Sequence, residues 1–103
     1  MESKKKLAII ECAELGQINS VISLIQDGKD VNEANSDGDC AVLVAARRND
    51  LELFRILIEA DANLDVKDAA GCSVLDWARL NNNTEMIKLI ESRLPSLGHF
   101  MRQ

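Results

Sequence analysis

A chain of 103 residues, 47% of them apolar, has room for one domain with a modest core. Its net charge of −5, from 12 basic and 17 acidic side chains, opposes nonspecific nucleic-acid binding, which needs a basic stripe for phosphate contacts. No run is long and apolar enough to span a bilayer. The apolar stock is Leu, Ile, Val and Ala, with Phe54, Trp77 and Phe100 as the aromatics, which suits packed helices better than a β-sandwich. Charges spread through the chain argue for a folded domain over a disordered one.

In chain order, the first feature is Lys4-Lys5-Lys6, the one basic block, read as a solvated N-terminal turn. Leu7-Ala8-Ile9-Ile10 follows, but Glu11 interrupts before a signal-peptide core forms, so an intracellular, cytoplasmic chain is expected. Ile18, Val21, Leu24 and Ile25 have helical spacing and lead into the polar segment Gly28-Lys29-Asp30-Val31-Asn32. Asn35-Ser36-Asp37-Gly38-Asp39 reads as a β-turn tip. A helix is predicted over Cys40 to Arg48, a turn at Asn49-Asp50, and a second helix over Leu51 to Glu59. Asp50 and Asn83 are expected N-caps, and Ser73 with Asp76 an expected capping box. Gly28, Gly38 and Gly71 fall where turns need positive φ, and Asp61 is a tolerable substitute for glycine there. Pro95 ends the last helix, leaving a tail in which Leu97, Phe100 and Met101 are apolar enough to pack back or dock elsewhere.

The chain repeats itself. Gly38 and Gly71 stand 33 residues apart and open similar strings, Gly38-Asp39-Cys40-Ala41-Val42-Leu43-Val44-Ala45 and Gly71-Cys72-Ser73-Val74-Leu75-Asp76-Trp77-Ala78. The same interval pairs Asn49 with Asn82, Phe54 with Ile87 and Leu57 with Ile90. One interval back, Ala13, Gly16, Ile18, Val21, Leu24 and Ile25 fall under Ala46, Asn49, Leu51, Phe54, Leu57 and Ile58, with no insertion or deletion.

A 33-residue helix–turn–helix unit with polar hairpin loops resembles the ankyrin repeat, most closely over Asp61-Ala62-Asn63-Leu64-Asp65-Val66-Lys67-Asp68-Ala69-Ala70-Gly71. The resemblance implies a mainly α fold, an ankyrin-type solenoid of about three helix–turn–helix repeats joined by β-hairpin-like loops. The expected division is one domain over 1–94, with repeats at about 4–34, 35–67 and 68–94, and a C-terminal tail over 95–103. The family's Thr-Pro-Leu-His start is replaced by Cys40-Ala41-Val42-Leu43 and Ser73-Val74-Leu75-Asp76. Without the histidine that normally ties neighbouring loops, looser loop-to-loop bonding is expected. Arg79 and Glu91 replace Ala46 and Ile58 and are expected to make a polar end face, where they pair. Ser3-Lys4-Lys5-Lys6 reads as a leading cap, so a complete three-repeat protein of marginal stability is expected.

Catalytic, metal and cofactor chemistry finds little support. Cys12, Cys40, Cys72 and His99 are separated by 28, 32 and 27 residues, far from the close pairs of structural zinc sites, so small-hydrophobe roles and reduced thiols are expected. The acidic turn at Asn35 fails the EF-hand pattern, because Val44 stands six residues after Gly38 where a glutamate is needed. Asn82-Asn83-Thr84 is a formal glycosylation sequon and, more simply, a helix cap. No glycine-rich phosphate loop is present, and one histidine after a proline is a poor general base, so neither an enzyme nor a cofactor is expected.

The resemblance implies binding of another protein through loop tips and the exposed side of the first helices, a concave groove. By matching position, that surface comprises Glu14, Leu15, Arg47, Arg48, Leu80 and Asn81 on the helices, with Ala34, Ser36, Asp37, Asp39, Lys67, Ala69, Ala70 and Cys72 on the loops. Arg47 and Arg48 are read as its cationic centre, with Glu14 and Asp39 as alternative bridging partners. Trp77 replaces Val44 of the preceding repeat and is expected to fill space inside the stack; if exposed, it forms an apolar patch with Leu80. The leading function is an adaptor or regulator, monomeric or weakly oligomeric. The alternative is a self-assembling structural protein.

Overall fold

The computed structural model describes residues 8–93. They form six helices: α1 (Ile9–Glu14), α2 (Ile18–Gln26), α3 (Ala41–Arg47), α4 (Leu51–Glu59), α5 (Val74–Leu80) and α6 (Thr84–Arg93). The expected basic cap at Lys4–Lys6 and the apolar tail lie outside the described residues. The helices pair as α1 with α2, α3 with α4 and α5 with α6, and the first members stack as α1 on α3 on α5. This is the ankyrin-type helical solenoid, and α3, with both neighbours, buries every residue from Ala41 to Ala46.

Between helix pairs the chain turns back in hairpins closed by isolated antiparallel bridges, Ala34 with Cys40 and Lys67 with Ser73. The second has the same internal geometry as the first. Asn35 Oδ1 accepts the Asp37 and Asp39 N–H groups at 2.9 and 3.0 Å. Asp68 Oδ1, one repeat later, accepts those of Ala70 and Cys72 at 3.0 and 2.9 Å. Each short side chain thus satisfies backbone donors that a tight turn leaves unpaired.

The local expectations hold at the caps. Asp50 accepts from Leu53 N–H, Asn83 from Met86 N–H, and Ser73 and Asp76 bond reciprocally. Asp61 adopts φ +66°, the left-handed conformation of its counterpart Gly28 at +87°. Gly16, Asn49 and Asn82 recur at one place after the first helices, with φ of 71°, 60° and 54°. The chain there must reverse within two residues, which a left-handed C′ residue achieves.

The core is a single apolar cluster running through all three helix pairs, with Phe54, Leu43, Leu53, Leu57, Met86 and Ile90 fully buried. Cys12 and Cys40 are buried thiols within it. Burial, the dominant cause, pushes both thiols above their ordinary pKa and leaves them protonated at neutral pH. Two expectations at the C-terminal repeat need correction. Among the described residues Arg79 and Glu91 make no ion pair; Arg93 instead lies 4.0 Å from Asp61. Trp77 is half-buried against the core, because among the described helices α5 has a first helix, α3, on one side only, whereas Val44 lies on α3 between α1 and α5.

Candidate functional site

The exposed edge of the first-helix row and the two hairpin tips form one continuous surface, organised by Arg47. Its guanidinium bonds Asp39 through both nitrogens, Nη2 to Oδ2 at 2.6 Å and Nη1 to Oδ1 at 3.4 Å. Nη1 is also 3.7 Å from Asp68 Oδ2, on the next hairpin. The same Asp68 oxygen accepts the Trp77 Nε1–H at 2.9 Å, and the guanidinium carbon lies 6.0 Å from the indole centroid. An indole N–H withdrawn from water needs an acceptor, and Asp68 supplies it from the hairpin.

The network leaves its mark on the charges. The Cys72 backbone N–H, with the Trp77 indole N–H next, holds the Asp68 carboxyl below the ordinary carboxylate range. The hydrogen bonds that Arg47 donates to Asp39 hold its guanidinium still more firmly in its charged form. Arg47 and Asp68 are therefore both held in their charged forms at neutral pH. They also correct the expectation of loose loop-to-loop bonding: an arginine on α3 links the neighbouring hairpins that lack the family's histidine.

Arg47 and Arg48, expected as one cationic centre, bond different neighbours. Successive helical residues point about 100° apart. Arg48 accordingly turns toward the first repeat, donating to the Glu14 carbonyl at 2.9 Å across Gly16. Asn81 does the same one repeat later, with Nδ2 donating to the Ala46 carbonyl at 3.1 Å. Arg48 thus satisfies a carbonyl that the end of a short helix leaves unpaired, whereas the Ala46 carbonyl accepts the Asn49 N–H as well.

Other members of the expected surface divide by place. Asp37, Asp39, Arg47, Asp68, Ala69 and Ala70 line one shallow recess of about 280 Å³. Lys67 lines a different depression of about 200 Å³ with Leu64, Val66 and Leu75. Ser36 and Ala34 are exposed on the first hairpin, while Cys72 is half-buried on the second. Leu15 and Leu80, at 61% and 66% exposure, are the large apolar side chains left open to solvent among the described residues. Leu80 follows Trp77 by three positions and shares its helix face. Asp68 stood outside the expected set; its position one repeat after Asn35, the turn-forming residue of the first hairpin, was the available signal.

Among the described residues, no three His, Cys, Asp or Glu side chains gather as a metal-binding group, and no helix is long and apolar enough to cross a membrane. Nothing in this surface pairs a nucleophile with a base. It offers shape, apolar area and fixed charge.

Comparison with known proteins agrees with this architecture. The family model for ankyrin repeats, in three copies, matches residues 9–94. The chain is 31% identical over 83 residues to a putative ankyrin repeat-containing protein of Treponema pallidum, covering 81% of this chain and 28% of that protein. It is 30% identical over 97 residues to ankyrin repeat domain-containing protein 37 of Xenopus tropicalis, covering 85% of this chain and 60% of that one. It also matches the transient receptor potential cation channel subfamily A member 1 of Drosophila melanogaster, at 30% identity over 78 residues, 75% of this chain and 6% of the channel. The chain thus spans less than two thirds of each of these relatives. Repeats of this kind are in general modules for protein–protein interaction and generally not enzymes. With three helix pairs in one register and a family match over nearly its whole length, this chain belongs to the ankyrin repeat family.

Proposed function

We propose that this chain binds a partner protein through the exposed edge of α1, α3 and α5 and the two hairpin tips, acting as an adaptor or regulator inside the cell. One observation carries the reading: Leu15 and Leu80, the large apolar side chains left exposed, both lie on that edge. A soluble surface gains nothing from open leucines, and a contact that covers them recovers their transfer free energy. Asn81, beside Leu80, and the Arg47 network beside Trp77 supply the polar surround that interfaces use for orientation.

Affinity capture from cells tests the reading. Leu80→Glu is expected to abolish capture of a partner that the parent chain retains, while Lys88→Glu on α6 leaves it intact. Both positions are exposed, so unchanged helicity and unfolding midpoint would confirm that folding is not at issue. Capture that survives Leu80→Glu and fails with Lys88→Glu assigns binding to the opposite face and overturns the proposal.

A further inference from the structure

The recess beside Arg47 narrows the chemistry of what docks there. Three carboxylates, Asp37, Asp39 and Asp68, surround one guanidinium, so the recess stays net negative after Arg47 is counted. The three are unequally engaged. Asp68 Oδ1 accepts two backbone N–H groups, and its Oδ2 accepts the indole N–H. Asp39 holds Arg47 through both oxygens. Asp37 is exposed on the first hairpin; its backbone N–H is satisfied by Asn35, and among the described residues its carboxylate has no partner.

Beside the recess, beyond the residues that line it, stands an apolar pair that Trp77 joins to it through its bond to Asp68. The half-buried Trp77 ring and the exposed Leu80 side chain follow one another on the same face of α5. Arg47, held by Asp39 and Asp68, serves as wall instead of ligand. The connecting loops as a whole have the same sign: 28–39 and 61–72 hold seven acidic side chains against Lys29 and Lys67. A field of that sign steers cationic segments inward and repels acidic ones.

We infer that this recess docks a segment of a partner protein in which a lysine or arginine neighbours an apolar side chain. The cation sits against Asp37 and the outer edge of Asp39, and the apolar side chain covers Trp77 and Leu80. This assignment rests on the protein-binding reading above and adds to it the chemistry of the bound segment. It reverses the expectation of a cationic centre: Arg47 is neutralised within the chain, and the charge left to a partner is negative.

Selection of a phage-displayed random dodecapeptide library on the full chain tests it, followed by titration of the chosen peptides into isotopically labelled protein. Selected peptides are expected to carry Lys or Arg beside an apolar residue and to shift the amides of Asp37, Ala70 and Leu80. Asp37→Lys and Leu80→Glu are each expected to weaken binding by about tenfold or more, with affinity falling as salt rises. Both sites are exposed, and an unchanged amide spectrum away from the substitution verifies folding. Peptides that shift these amides but lack a basic residue, or ignore Asp37→Lys, overturn the inference and leave binding at this face standing. Peptides that shift α2, α4 or α6 instead overturn both. A selection that yields no binder overturns the inference as well.

Discussion

The two boundaries between repeats are built differently. Where the first repeat meets the second, α1 packs on α3 and the polar ties among the described residues are few: Arg48 to the Glu14 carbonyl, and Asn63 N–H to Asn32 Oδ1 at 2.7 Å. Where the second meets the third, apolar packing of α3 on α5 is supplemented by Arg47 with Asp68, Asn81 with the Ala46 carbonyl, and Asn83 with Asn49 at 2.8 Å. Arg55 with Glu85 and Arg93 with Asp61 add exposed pairs of little weight. The third repeat carries more polar residues on its helices, among them Asp76, Arg79 and Glu91. Directional bonds there supplement apolar packing, and they hold the hairpin edge in the shape that the candidate site requires.

The largest effect is expected where both boundaries share a foundation. Phe54 lies fully buried in α4, and Phe54→Ala is expected to cost about 3–5 kcal/mol. A stack of three repeats is short enough that this should unfold the chain at room temperature, as read by circular dichroism. Arg47→Ala sharpens the contrast between boundaries. It removes charge-assisted bonds from a partly exposed group, a cost of about 1–2 kcal/mol after screening. Amide exchange is expected to quicken in α5 and in the second hairpin, while α1 and α2 keep their rates; equal quickening throughout would erase the distinction.

A smaller and opposite pattern is expected from Arg48→Ala, which removes an exposed bond worth about 0.5–1 kcal/mol. Its effect belongs at α1 and α2. The smallest effect appears only in acid. Asp68 is held below its ordinary pKa of 3.8, so the stability it contributes is fully present above that value and is lost as pH falls through its lower folded value. Below about pH 4 the parent chain should therefore lose stability in a window that Asp68→Asn flattens, because asparagine keeps an acceptor for Ala70 and Cys72 but does not titrate. Unfolding followed through Trp77 fluorescence reads this directly.

Much of the fold was legible from one interval. The recurrence of Gly38 at Gly71 and of Asn49 at Asn82 marks turns whose backbone leaves few other choices, and Asp50, Asn83 and Ser73 cap helices by contacts only three residues long. The site was less legible, because its bonds join residues whose nearness depends on the stacking. Arg47 meets Asp68 across a whole helix and a loop, and no local pattern distinguishes that partner from Glu14. Adjacency in sequence suggested that Arg47 and Arg48 act together, whereas helical rotation sends them to different repeats. Positional equivalence placed Trp77 where Val44 is enclosed, but Val44 lies between two first helices and Trp77, among the described residues, beside one.

The central claim, that the exposed edge of the first helices is the binding face, is tested most directly by photocrosslinking in the cell. A benzophenone side chain placed at Leu80, and in a separate chain at Lys88, reports which face lies against a partner. The account predicts a crosslinked protein from position 80 and none from position 88. Crosslinking from position 88 alone would contradict it.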